Sequence, residues 1–291
     1  MLKTILLRGT VMEFIWISGD NAETFRKFID EDMTGEIGRC YFRSIGVMDE
    51  GDVPKGVIVY EIIDSENEED TKSRIHLLAG EGDEIKDSIL DKYSGEASEE
   101  EVVESFYETR DEQMSRDMGA KGFSARTEES RDLIVSVEEI KKVAYTLKKK
   151  IPPYIVSLSE ISVPQFRQFV KNCIYQGRKG VLEDLAFLPK SRFEQNVTAC
   201  LVTDNQMQGS LLIRKAPSGI LYTELYVAFG PDYKHNLIYL MAYSAQKIVE
   251  LYPEDTHVVI RRHNEYVRTL TDRLFAGVRG EQVYCGERRE R

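Results

Sequence analysis

Hydrophobic positions in the last quarter of the chain change period twice. From Ile220 to Phe229 (ILYTELYVAF), β-branched and aromatic residues crowd a span of strand length. Gly230-Pro231 breaks the run, since proline lacks a ladder N–H and glycine tolerates positive φ. From Leu237 the spacing turns helical: Leu237, Leu240, Met241, Ala245 and Ile248 recur at three- and four-residue steps and share one face. Tyr252-Pro253 ends that helix, and His257–Ile260 (HVVI) predicts a second strand. Asn264 stands where an N-cap belongs, ahead of Val267, Leu270 and Leu274, with Gly277 as the stop. The order is strand, turn, helix, strand, helix.

The same patterning predicts strands over Ile5–Ile17 with a turn at Arg8-Gly9, then a short amphipathic helix carrying Phe25, Phe28 and Ile29. Trp16, the single tryptophan, is expected in the core. Tyr41–Met48 and Gly56–Ile63 form a hairpin around Asp49–Pro54. An acidic turn at Ser65–Thr71 precedes a strand at Arg74–Leu78. Glu99–Ser115 predicts a charged helix, Leu133–Val137 the last strand of a first half, and Glu138–Lys150 a basic amphipathic connector ending at Pro152-Pro153. The second half repeats the opening, with a strand at Tyr154–Leu158 and a helix holding Phe166, Phe169 and Val170. FRKFI at Phe25 is matched by FRQFV at Phe166, and KGVIV around Gly56 by QGSLL around Gly209. These ordered matches predict a duplicated α/β unit, residues 1–145 and 152–291, with an insertion near Gly177–Lys190 in the second copy.

Ile220–Gly277, with its strand order, turn position and Asn-led helix, resembles the cofactor-binding half of a GNAT-superfamily N-acetyltransferase. Met118–Phe123 likewise looks like the Leu-Gly-Phe close of a GNAT helix. The resemblance implies two GNAT-like domains in tandem, each a mixed, mainly antiparallel twisted sheet flanked by helices. It implies a strand that splays from its neighbour to pair with the pantetheine arm of acetyl-CoA or another acyl-CoA, here through Leu225, Tyr226, Val227 and Ala228. A following turn presents N–H groups to the diphosphate, here Lys234, His235, Asn236, Leu237 and Ile238, with Asn264 opening the later helix. Glu224 falls near the family's general base, the alternative being an ordinary strand residue; Thr271 falls where the family has an acid tyrosine. Two departures bear on function. Leu237 and Tyr239 replace small residues of the phosphate turn, so weakened cofactor binding is expected, and their replacement by Gly is expected to strengthen it. An aliphatic hydroxyl at Thr271 is a far poorer acid than a phenol.

Two functions are therefore carried forward: an N-acyltransferase acting on a small-molecule or peptide amine through the second half, or a catalytically inactive GNAT-like binding or assembly module. A homo-oligomer fits either. Charge separates the halves. Residues 1–150 hold 21 Lys and Arg against 35 Asp and Glu, whereas the remainder holds 18 against 15. The acidic first half argues against nucleic acid as a partner. Its Gly80-Glu81-Gly82-Asp83-Glu84 turn sets three carboxylates where a diphosphate would sit, so the first half is expected to be non-catalytic and silent towards coenzyme A. The four cysteines are scattered, which predicts no metal site or disulfide framework and a reduced, cytoplasmic setting; no apolar run near the start is long enough for a membrane span. His76 reads as a satisfied core or interface histidine, and Cys200 as a small buried hydrophobe.

Overall fold

A computed structural model describes the chain apart from residues 1–3, 8–9, 38–41, 64–70, 131, 144–146, 176–187, 263–264 and 291. The chain forms two compact units. One is Met1–Glu128 with Gln282–Arg291; the other is Glu129–Arg178 with Leu185–Glu281, apart from a few residues outside the described set. Each is built on a mixed sheet flanked by helices.

The first sheet takes β1 (Thr4–Leu7), β2 (Thr10–Trp16), β3 (Phe42–Asp49), β4 (Pro54–Ile63), β5 (Lys72–Gly80), β6 (Glu104–Thr109) and β7 (Arg126–Glu129). The last strand of the chain, β14 (Gln282–Arg289), lies between β6 and β7. Alternation sorts β4 onto two faces. Ile58, Tyr60 and Ile62 join a core with Ile85, Ile89, Leu90 and Tyr93 of the helix Asp83–Glu99, while Val57 and Val59 pack with Phe25 and Ile29. Gly46 permits the latter, because a Cβ there would stand 2.3 Å from the Phe25 ring.

The second sheet runs β8 (Asp132–Ser136), β13 (His257–Arg261), β12 (Leu221–Ala228), β11 (Gln206–Lys215), β10 (Ala199–Thr203) and β9 (Ile155–Ser157). The helix Tyr233–Leu251 buries Leu237, Leu240 and Ile248 with Leu211 and Ile213 of β11. The helix Val163–Tyr175 also packs on β11 and buries Phe166, Phe169, Val170 and Cys173.

Several expectations need correction. Leu133–Val135 belongs to the second sheet, where β8 pairs antiparallel with β13, and β14, which the patterning did not single out, supplies the matching strand beside β6. The divisions therefore fall at 128/129 and 281/282 rather than between 145 and 152. Glu104–Thr109 is a strand and not part of a helix; Ser105 and Tyr107 alternate inward on it, a period-two signal hidden by the surrounding charge. Phe25 closes a 3-10 turn, Ala22–Phe25, instead of sitting on an α-helix as Phe166 does. Trp16 is 45% exposed, because it ends β2 beyond the core that covers Met12 and Phe14. The proposed insertion at Gly177–Lys190 lies largely outside the described residues.

The glycine match, in contrast, extends to detailed register. Gly56 and Gly209 both lie on the second strand of a hairpin, and in both units the ladder to the next strand shifts between the third and fourth residues after the glycine. A Cβ on Gly56 would meet the Ala79 carbonyl at 2.9 Å, and one on Gly209 the Val227 carbonyl at 2.8 Å. Only glycine admits a neighbouring backbone so closely. These shared bulges carry the duplication more firmly than the short sequence matches do.

Candidate functional site

The site is a fork in the second sheet. β12 and β13 run parallel and, among the described residues, pair only at Leu221–Val258 and Tyr222–Val259. The next backbone donor of β13, Arg261 N–H, is taken by the Thr223 hydroxyl at 2.9 Å. Beyond that point the ladder stops, while β12 stays paired with β11 as far as Ala228. This is the divergence that the sequence predicts for Leu221–Phe229 and HVVI. A strand edge freed in this way presents unpaired N–H and C=O groups to whatever lies beside it.

The free edge leads into a helix start. Gly230 takes φ +93°, a conformation that favours glycine, and turns the chain into the helix Tyr233–Leu251. The Asp232 side chain makes no cap hydrogen bond, and Tyr233, Lys234 and His235 are exposed. Two first-turn amides are bonded within the turn, Tyr233 to Gly230 O and Asn236 to Asp232 O. Leu237 is buried among the apolar residues of the core, and Tyr239 is half-buried, its ring edge-on to Tyr154 with the Lys149 ammonium 4.7 Å from its centre. Leu237 is therefore committed to packing away from the exposed first turn, whereas the Tyr239 ring also lies 6.4 Å from that of His235 within it. Tyr226 reaches from β12 to donate to the Leu237 carbonyl at 2.6 Å, and this ties strand to helix. Leu225, Val227 and Ala228 are buried, and Ile238 is half-buried. Asn264 lies outside the described residues.

The two residues at catalytic positions are both engaged. Glu224 is the extra residue of the β12 bulge, since Leu212 pairs with Leu225 and Ile213 with Thr223. It is not an outward strand residue. Its carboxylate is buried between Arg214 Nε and Arg261 Nη1, each 2.9 Å from a different oxygen, with the Tyr222 ring against both guanidiniums. A carboxylate so held is a poor proton acceptor, because neutralising it would remove the charge set between two close guanidiniums. Thr271 is buried, and its hydroxyl donates to Val267 O and Arg268 O of its own helix, Glu265–Leu274. That back-bonding holds the proton away from the fork.

A cavity of about 60 Å³ opens at the fork. Thr223 and Tyr226 of β12 border it on one side and Ile260 and Arg261 of β13 on the other, beneath Ser244, Ala245, Thr271 and Leu274. Patterning missed Arg214, Arg261 and Ser244. The first two end strands and read as ordinary exposed charges; only the register brings them to Glu224.

The first sheet has an equivalent fork. β5 pairs parallel with β6 from Lys72–Glu104 to Ile75–Tyr107 and no further, and the bulged residue just past the last pair is His76. His76 Nε2 lies 3.2 Å from Glu61 and its ring stacks on Phe42, so it is a satisfied histidine, as expected. Glu61 and Arg214 each stand five residues after the equivalent glycine. The two forks therefore keep one cross-strand pair with its chemistry changed, Glu61–His76 in the first unit and Arg214–Glu224 in the second. At the first helix start, Gly82 has φ +91° and Glu81 is paired with Lys27 and Lys55. Those lysines, Lys27 foremost, hold its carboxyl below the ordinary value.

No protein-family model and no curated protein matches the sequence. Solved structures do match. A tandem GNAT protein from the clavulanic acid biosynthesis pathway aligns with a TM-score of 0.64 at 9% identity, over 96% of this chain and 99% of that one. The fold is that of a tandem GNAT protein. A GCN5-related N-acetyltransferase from Sphaerobacter thermophilus aligns over 96% of each chain with a TM-score of 0.51 at 9% identity. The GCN5-related glucosamine N-acetyltransferase region of a fungal multi-domain GH3 β-N-acetylglucosaminidase gives 0.52 at 10% identity, over 94% of this chain and 38% of that one. At such identities the likeness is one of GNAT fold, and the chemistry has to be argued from the fork itself.

Proposed function

We propose that the chain is an N-acyltransferase whose second unit takes acyl-CoA in the fork between β12 and β13 and passes the acyl group to an amine. The observation that carries this reading is the open edge of β12 running straight into an exposed, uncapped helix start, with Leu237 turned into the core. The residues present fit the cofactor. Leu225–Ala228 offer backbone groups to an amide-bearing arm, and the first turn offers a positive dipole end to a diphosphate, with Lys234 and His235 exposed there and Asn236 half-buried behind them. Ile238 and Leu237 contribute as backbone of that turn. When bound, acyl-CoA supplies an acyl group activated as a thioester.

The chain's own contribution is positioning. Tyr226 fixes the strand against the helix, and the Arg214–Glu224–Arg261 cluster fixes the bulge where the strands part. Orienting a neutral amine against the acyl carbon forms the C–N bond as the C–S bond breaks, and the amine proton passes to water. Holding two reactants in register supplies a large share of a barrier without an acid or base. A small-molecule or peptide amine is the acceptor class. No described helix is long and apolar enough to cross a membrane.

The engaged state of Glu224 and Thr271 favours a second reading, a GNAT-like module that binds acyl-CoA or a partner without turnover. Calorimetric titration of the whole chain with acetyl-CoA tests the first step common to the enzyme. About one equivalent is expected to bind, at the second unit, and ligand at 100 times Kd should raise stability by about 2.7 kcal/mol. Absence of binding at millimolar acetyl-CoA would remove the acyltransferase reading. Binding without acyl transfer to any of a panel of amines would support the non-catalytic module.

A further inference from the structure

We infer that the cavity at the fork is an acyl-chain subsite, and that the preferred donor carries a short aliphatic acyl group of about four to six carbons rather than acetyl. This rests on the acyltransferase reading and names the donor class for that same site. The argument starts from position. Thr223 and Arg261, whose hydroxyl-to-amide bond marks the last contact between the parting strands, both border the cavity. An arm paired along Leu225–Ala228 from the helix start towards the bulge brings its reacting end to this place.

Size and chemistry narrow the occupant. A volume of about 60 Å³ holds about four groups of water size, taking roughly 15 Å³ for each. An acetyl methyl would leave most of it empty. The wall is apolar apart from Arg261 and four hydroxyls, those of Thr223, Tyr226, Ser244 and Thr271. Thr223 Oγ1 already accepts from Arg261 N–H, and the Tyr226 and Thr271 hydroxyls already donate to backbone carbonyls. The fourth, Ser244 Oγ, is fully buried with no hydrogen-bond partner. Ordered water needs two to four polar partners apiece, and a largely apolar wall whose hydroxyls are mostly engaged offers few, so the space is better suited to hydrocarbon. The Ser244 hydroxyl is one of four buried side-chain polar atoms with no hydrogen-bond partner among the described residues, and it borders this space. Here it is set to donate to a carbonyl oxygen at the head of the chain while the tail fills the space below.

The test is a calorimetric series on the intact chain with coenzyme A, acetyl-, butanoyl-, hexanoyl- and dodecanoyl-CoA. Each methylene buried in the cavity should tighten binding about fourfold, from roughly 0.8 kcal/mol apiece, so butanoyl-CoA should bind about fifteenfold tighter than acetyl-CoA. The gain should stop near hexanoyl, where the cavity is full. In Ala245→Leu, which grows side chain into the space, the butanoyl-to-acetyl ratio should fall towards one. In Leu274→Ala, which enlarges it, the optimum should move to longer chains. Equal affinity for acetyl- and butanoyl-CoA in the parent would overturn the subsite and leave the acyltransferase reading standing. So would a gain that keeps rising through dodecanoyl, or a ratio that survives Ala245→Leu, since either marks non-specific apolar contact. Failure of every member to bind, coenzyme A included, would overturn both.

Discussion

Replacing Glu224 by glutamine separates a structural carboxylate from a catalytic one. The side chain is 3% exposed, and its two partners, Arg214 and Arg261, are 6% and 24% exposed. Glutamine keeps the shape but leaves two guanidiniums in contact with a neutral amide. Removing one member of a buried ion pair typically costs about 3–5 kcal/mol, against a total stability of about 5–15 kcal/mol for a domain. A solvent-facing base in an open cleft would instead cost less than about 0.5 kcal/mol on the same change. We expect Glu224→Gln to lower the stability of the second unit by about 3 kcal/mol. Arg214→Met in that background should return at least about 1 kcal/mol, because it removes the more deeply buried of the two unpaired cations. Trp16 lies in the first unit, so its fluorescence does not follow this event. Native-state hydrogen exchange of the β11 and β12 amides does, and it avoids treating two units as one two-state transition. Exchange in Glu224→Gln within about 0.5 kcal/mol of the parent would refute the ion-pair argument and return Glu224 to candidacy as a free base.

Two further outcomes follow from burial. Leu237→Gly, which the sequence favours as a way to tighten cofactor binding, should instead destabilise the second unit by about 2–5 kcal/mol, because Leu237 is part of the core. Tighter acetyl-CoA binding in a stably folded Leu237→Gly variant would contradict the packing described above. Burial pushes the Cys200 thiol up to about 12, so iodoacetamide at pH 8 should leave Cys200 unmodified in the native protein and label it once urea is added, as read by peptide mass mapping.

The sequence carried the second unit's fork well. The shift from period two to period 3.6 across Gly230-Pro231 located strand and helix, and the HVVI strand followed. It carried less of what depends on partners distant in the chain. β8 alternates over five residues and β14 buries Val283 and Gly286 without alternation, and nothing local tells either one which sheet it will join. The role of Leu237 was open for the same reason. A leucine in the first turn of a helix can cover the amides or enter the core, and only the packing of that helix on β11 decides. Glu224 is the clearest case. Its bulge follows from Gly209 three residues before the shift on the neighbouring strand, a relation visible only once the register is known.

The two forks share a backbone and differ in charge, and that difference bears on which of them the proposed cofactor would enter. In both units a parallel pair opens just before a bulged residue, and a positive-φ glycine delivers the chain into a helix. Backbone geometry alone would therefore allow an anion at either helix start. At the first, the turn reads Gly80-Glu81-Gly82-Asp83-Glu84; Lys27 and Lys55 are spent on Glu81, and Asp83 and Glu84 already complement the dipole. At the second, the turn reads Asp232-Tyr233-Lys234-His235-Asn236, with no acidic residue in the first turn of the helix and Lys234 exposed there. A diphosphate approaching the first fork would have to displace carboxylates, whereas at the second it meets a helix start with an exposed lysine and no acidic residue in its first turn. A duplication that keeps the fork and changes both its cross-strand pair and the charge at its mouth makes the second site the one to titrate with acyl-CoA, with the first as its internal control.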